Sequence, residues 1–115
     1  MNTPYKFQAW DVLNERMLEW KDIFHLPAWE IFPGTPEQRP FIIRSFTGYK
    51  DTSGNEIYRG DIILIDHGDN HKWYEEVFFY QGCYMAGEEN LLANVVDNAK
   101  VVGNIYENPE LLEAS

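Results

Sequence analysis

The sequence predicts a mainly β protein, and three observations carry that expectation. Aromatic residues make up 16% of the chain, seven Phe, seven Tyr and four Trp, and flat rings pack well across strands. The apolar runs are short and are broken by clusters of Gly, Asn, Asp and Pro, the punctuation of turns. Helical spacing of apolar residues occurs in one short stretch near the C-terminus.

The segment Tyr5–Asp11 alternates, with Tyr5, Phe7 and Ala9 on one face and Lys6 and Gln8 on the other, the pattern of a half-buried strand. Asn14 marks a turn, and Arg16–Trp20 is read as the returning hairpin strand. Between Pro27 and Pro40 lie four of the six prolines, with Gly34 beside Pro33. Proline removes backbone donors and biases the residue before it toward extended conformations, so this is loop or edge segment. The chain is read as one domain over 1–115; any subdivision separates 1–40, hairpin and Pro-rich segment, from 41–115.

Phe41–Phe46 is a strand candidate that ends at Thr47–Gly48, and Lys50–Asn55 is dense turn chemistry. Glu56–Asp61 leads into the apolar strand Ile62–Ile65, and Asp66–His71 is a hairpin-type loop. The aromatic strand Trp73–Tyr80 follows; Gly82 punctuates it before a strand at Cys83–Ala86. Leu92, Val95, Val96 and Ala99 are spaced as the stripe of a short helix laid on a sheet. Val101–Tyr106 reads as a last strand, and Asn108–Pro109–Glu110 opens a terminal helical turn with Asn108 as N-cap. Together these elements predict a small Src-homology-3-like barrel or β meander in the second half, with an N-terminal β-hairpin region and one or two short helices.

A chain of 115 residues buries roughly two-thirds of its unfolded surface, enough to fold without disulfide or metal. Its single cysteine, Cys83, lies in an apolar run and is expected to be a reduced core thiol. No basic leader followed by an apolar stretch opens the sequence, and no apolar run approaches the ~20 residues of a membrane span. The expected location is the cytoplasm, with no membrane partner.

Charge is uneven. Residues 1–60 hold eight acids against seven bases, whereas residues 61–115 hold eleven acids and only Lys72 and Lys100 as bases, within a net charge of −10. Nucleic-acid binding uses clustered Lys and Arg to displace counterions. The second half has no such cluster and the first has little of one, so no nucleic-acid partner is expected.

The candidate chemical sites each have a plainer reading. Asp66, His67, Asp69 and His71 sit within six positions, but residues four apart share a face only on a helix, and Gly68–Asp69–Asn70 forms a turn. His25, the third histidine, is remote. Glu75 and Glu76 are neighbours on a strand, whose side chains point to opposite faces, so they are not expected to share a site. Ser45, Ser53 and Ser115 lie in no Gly-x-Ser-x-Gly elbow, and Gly48, Gly54 and Gly60 lead to no phosphate-cradling loop. Trp10, Trp20, Trp29 and Trp73 lack the basic groove of a single-strand binder and suit a core or interface better. No enzyme, catalytic residue, cofactor or metal is expected. The alternatives kept open are a nucleic-acid-associated module and an unrecognised hydrolase or metal enzyme.

Three segments resemble one known family. Lys6–Phe7–Gln8–Ala9–Trp10–Asp11, with Asn14 and Met17 after it, is similar to the opening of the YopX-like proteins of temperate bacteriophages and prophages. Phe46–Ile62, containing Thr47–Gly48–Tyr49–Lys50–Asp51 and Gly54–Asn55–Glu56–Ile57–Tyr58–Arg59–Gly60–Asp61, resembles that family's central motif. Val101–Leu112 resembles its ending. Gln8, Phe46, Tyr49 and Arg59 depart from the pattern. Members are largely of unknown function, so the resemblance implies a phage-encoded accessory protein in a bacterial host and assigns no catalytic residue.

Within these motifs Gly48, Asp51, Gly54, Gly60, Asp61, Gly103 and Asn104 are of turn-forming type and are read as structural. The acidic residues Asp66, Asp69, Glu88, Glu89 and Asp97 are read as an exposed surface suited to a basic host or phage protein, which would make the protein one that acts by contact. The aromatic content, with Trp29, Ile31 and Phe32 in the Pro-rich segment, predicts a homo-oligomer.

Overall fold

In the computed structural model, which describes residues 6–23 and 41–113, antiparallel strands dominate as the alternation and turn signals predict, and they form two curled sheets of a small barrel-like β fold. The chain divides into two compact units, Met1–Ser45 and Phe46–Ser115.

In the first unit, β1 (Phe7–Asp11) pairs with β2 (Arg16–Leu18) and with the start of β3 (Phe41–Lys50), placing Ala9 opposite both Leu18 and Ile43. Ala9, Leu18 and Ile23 are buried, with Phe7, Phe41 and Ile43 packed around them. The return strand stops at Leu18, two residues short of expectation. Trp20–Ile23 is one helical turn, α1, because the amides of Asp22 and Ile23 donate to the Glu19 carbonyl and the Asp22 carboxylate accepts from the Glu19 N–H at 3.4 Å, a local closure that competes with the strand. The Pro-rich segment, with Trp29 and His25, lies outside the described residues.

In the second unit the end of β3 pairs with β4 (Glu56–Tyr58). The strand does not end at Thr47–Gly48 as predicted. It runs on to Lys50 through a bulge between Phe46 and Lys50, and Gly48, with φ of +89°, sits inside it, as bulges favour.

The strands β5 (Asp61–Asp66), β6 (Lys72–Tyr80), β7 (Cys83–Ala86), β8 (Asn90–Leu91) and β9 (Ala99–Asn104) form one antiparallel sheet in the order β8-β7-β6-β5-β9. Ile57, Ile63, Ile65, Val77, Ala86, Leu92, Val95 and Ala99 make its core. Burying an aliphatic side chain of this size contributes roughly 1.5–3 kcal/mol.

The predicted helix is shorter than its apolar stripe. Only Leu92–Val95 is α-helical (α2), one 3-10 turn covers Val96–Asn98, and Ala99 is already extended. Ala99 pairs with Ile65 in the sheet and its carbonyl accepts from Thr52 N–H. The stripe therefore marked the buried side of a helix and a strand together. The last strand correspondingly spans 99–104 instead of 101–106. A final turn, α3 (Glu110–Glu113), closes the described chain, but its expected cap is used otherwise: the Asn108 side-chain oxygen accepts from the backbone N–H of Asn104. Among the described residues no helix is long and apolar enough to cross a membrane.

Candidate functional site

Two places in the structure gather the residues singled out by sequence: a seam between distant motifs, and a groove on a hairpin.

The seam is structural. Asp51, only 6% exposed, accepts from the backbone amides of Ser53 and Asn55 within its own turn and from Val101 in β9. The hydrogen bonds from Val101, Asn55 and Ser53 outweigh the opposing effect of burial and hold its carboxyl below the ordinary value of 3.8. Gly54, with φ of +86°, closes the same turn. Asp61 accepts from Tyr58 N–H at 2.7 Å and stands opposite Asn104 in the sheet. Gly60 donates to the Val77 carbonyl and accepts from Ile105 N–H. Asn104 accepts from the amides of Tyr106 and Glu107. A Cβ on Gly103 would lie 2.5 Å from the Asn108 side-chain oxygen. The central and C-terminal motifs thus meet edge to edge. The N-terminal motif contains a smaller copy of the same device: Asp11 accepts from the Leu13 and Asn14 amides and from the Asn14 side chain, and that side-chain bond foremost keeps its carboxyl below the usual range.

The groove lies on the β6–β7 hairpin. The turn between these strands has two residues, Gln81 and Gly82, both with positive φ, the geometry that matches strand twist. It sets the register: Val77 faces Ala86, Phe78 faces Met85 and Tyr80 faces Cys83. Val77 and Ala86 turn into the core, so alternation leaves Glu76, Phe78, Tyr80, Met85 and Cys83 on the other face. Cys83, expected in the core, is exposed because this register puts it on that outer face beside the turn.

A depression of about 500 Å³ is lined by Glu75, Glu76, Phe78, Gly87, Glu88, Glu89 and Leu112, and a second of about 350 Å³ by Phe78, Tyr80, Met85 and Glu88. Phe78 and Glu88 belong to both, so the two form one groove. Glu75 and Glu76 both line it, contrary to expectation. Their side chains do leave opposite faces, but β7 ends at Ala86, and beside them the neighbour is Gly87, whose N–H donates to the Glu76 carbonyl. Glycine has no side chain to divide the two faces. A Cβ there would sit 2.3 Å from a Glu75 oxygen.

Burial first, then the nearby Glu89 and Glu88, raises the Glu75 carboxyl above its usual 4.5, against a hydrogen bond donated by Trp73 Nε1. Of the residues proposed for partner contact, Glu88 and Glu89 stand at this groove, in the turn after β7. Asp66 ends β5, Asp69 lies in the following hairpin turn and Asp97 in the 3-10 turn, all exposed. Because Ile65 pairs with both Trp73 and Ala99, Asp66 and Asp97 mark one end of the sheet. The Asp66–His71 loop is a closed turn: His67 N–H donates to the His71 carbonyl, and the His67 ring packs 5.4 Å from that of Trp73. Sequence reasoning missed Glu75, Glu76, Phe78 and Met85 as partners of Glu88. The two-residue turn at Gln81–Gly82 was the signal that would have set their register.

The sequence model of one protein family, described as YopX protein, matches residues 6–113. Two solved structures share the fold. Protein EF1440 from Enterococcus faecalis aligns with a TM-score of 0.69 and 28% identity over 93% of this chain and 96% of that one. Protein YopX from Bacillus subtilis aligns with a TM-score of 0.62 and 20% identity over 96% and 99%. No curated protein matches the sequence.

Proposed function

The chain belongs to the YopX protein family, and on that footing we propose that it is a phage- or prophage-borne accessory protein of the bacterial cytoplasm. It works by binding another protein through its acidic second half, and it is not an enzyme. The observation that carries the reading is the gathering of Glu75, Glu76, Glu88 and Glu89 around one surface groove in a half of the chain with eleven acids and two bases. Asp66, Asp69 and Asp97 are exposed as well, at the end of the sheet where β5 turns into β6. A surface of one sign repels nucleic acid and steers basic proteins to it, speeding their encounter at low salt.

The exposed Phe79 and Tyr80 support self-association as well, since aromatic residues are enriched at interfaces. Light scattering at micromolar concentration is expected to give a dimer or larger species.

The reading is tested by reversing Glu88 and Glu89 to lysine. The wild type is expected to capture a basic protein from lysogenic host extract with strong salt dependence, and the doubly reversed protein, equally folded, to lose most of that capture. Binding of duplex or single-stranded DNA by the wild type at physiological salt would overturn the reading in favour of a nucleic-acid-associated module.

A further inference from the structure

We infer that the β6–β7 groove is a binding site for a basic peptide segment, taking one apolar side chain on the floor formed by Phe78 and Met85, an arginine or lysine on one side of it against Glu76 and Glu88, and a second on the other side over Tyr80. The inference rests on the acidic-surface reading above and narrows it to one groove and one ligand chemistry.

The floor and the rim make different demands, and the ligand must meet both. Phe78 and Met85 face each other across the hairpin on the side away from the core, and Tyr80 beside them is 58% exposed. Large apolar side chains in that position gain by being covered, and methionine adapts its shape to what covers it. The rim carries the opposite chemistry. Glu76 and Glu88 stand together at the end of the floor away from the turn, with Tyr80 at the other end, and among the described residues no Lys or Arg lines either depression. A bare metal ion or a polyamine would satisfy the carboxylates and leave the carbon floor wet. A neutral apolar ligand would cover the floor and desolvate carboxylates without compensation, which is costly.

A peptide with a central leucine flanked by arginines answers both. Its charges also offset the repulsion from Glu89 and Glu88 that adds to burial in raising the Glu75 carboxyl. A guanidinium over the Tyr80 ring adds a cation–π contact. Together the depressions are of a size that holds a few side chains.

The test uses fluorescence anisotropy with two labelled synthetic peptides of equal charge, one of arginines flanking a central leucine and one of arginines and glycines only. The full chain is expected to bind the leucine peptide about tenfold more tightly than the glycine peptide. Met85→Ala, which removes half of the floor, is expected to reduce that preference to about twofold or less. Glu88→Lys is expected to weaken both peptides by about tenfold and to flatten their salt dependence. Thermal melts establish that each variant is folded, and peptide-induced amide shifts in wild-type NMR spectra are expected at Phe78, Met85 and Glu88. Equal binding of both peptides, or shifts confined to other strands, would overturn the groove while leaving the acidic-surface reading standing. Failure of both peptides to bind at physiological salt would overturn the groove and the reading together.

Discussion

The carboxylate of Asp51 accepts a 2.9 Å hydrogen bond from the backbone N–H of Val101, fifty residues further along the chain. The same carboxylate organises its own turn through Ser53 and Asn55, so one buried side chain fastens the central motif to the C-terminal strand.

Replacing Asp51 with alanine is therefore expected to cost roughly 2–4 kcal/mol, because several backbone donors lose their acceptor at once. Asp51→Asn, which keeps one carbonyl oxygen, is expected to cost less. The same bonds predict an acid transition. A carboxyl whose folded value is depressed contributes stability that is present above its unfolded value and lost as pH falls through the folded one. Both Asp51 and Asp11 are depressed below 3.8, so stability is expected to hold to about pH 4 and to fall below it. Urea titrations across pH 2–7 check both expectations, and in Asp51→Asn the acid slope is expected to be shallower.

Gly103→Ala is expected to destabilise by about 1–3 kcal/mol, the usual range for overpacking a tight site. The contact responsible is specific, the Asn108 side-chain oxygen at 2.5 Å from the added Cβ. In the background of Asn108→Gly the same substitution is expected to cost much less. A double-mutant cycle by denaturant unfolding measures that non-additivity.

Glu75→Gln is expected to raise the melting temperature at pH 7. Its folded carboxyl is raised, foremost by burial, so its contribution is full below the unfolded value and lost as pH rises through the folded one. The neutral amide removes that penalty and keeps an oxygen for Trp73 Nε1. Solvent screening limits the gain to about 1 kcal/mol or less, and the difference between the two proteins is expected to vanish below about pH 4. Paired calorimetric scans at neutral and acid pH test it.

Zinc is expected to leave the melting temperature unchanged, as is a chelator. His67 and His71 are four residues apart across a closed turn and not on one helical face, and the His67 ring is engaged with Trp73. A metal held by the native state at a hundred times its dissociation constant would add about 2.7 kcal/mol, a shift no melt would miss.

Residues alone determined a good deal of this protein. Period-2 alternation from Phe7 to Asp11 marked β1, the Ile62–Ile65 run marked β5, and Asp51, Gly54 and Asn55 marked a turn, because these depend on local chemistry that neighbouring residues carry themselves. The same locality explains why the acidic sign of the second half was legible: charge is additive along a chain. Tertiary structure decided the rest. Ala99 left its apparent helix for the sheet because Ile65 and Thr52 offered partners that no window around residue 99 contains. The Asn108 side-chain oxygen went to the Asn104 amide and not to the amides of the helix after it. Cys83 was placed outside, and Glu75 and Glu76 were brought to one groove with Glu88, by strand register, which is a relation between segments. A one-residue change of pairing would have reversed every one of those faces.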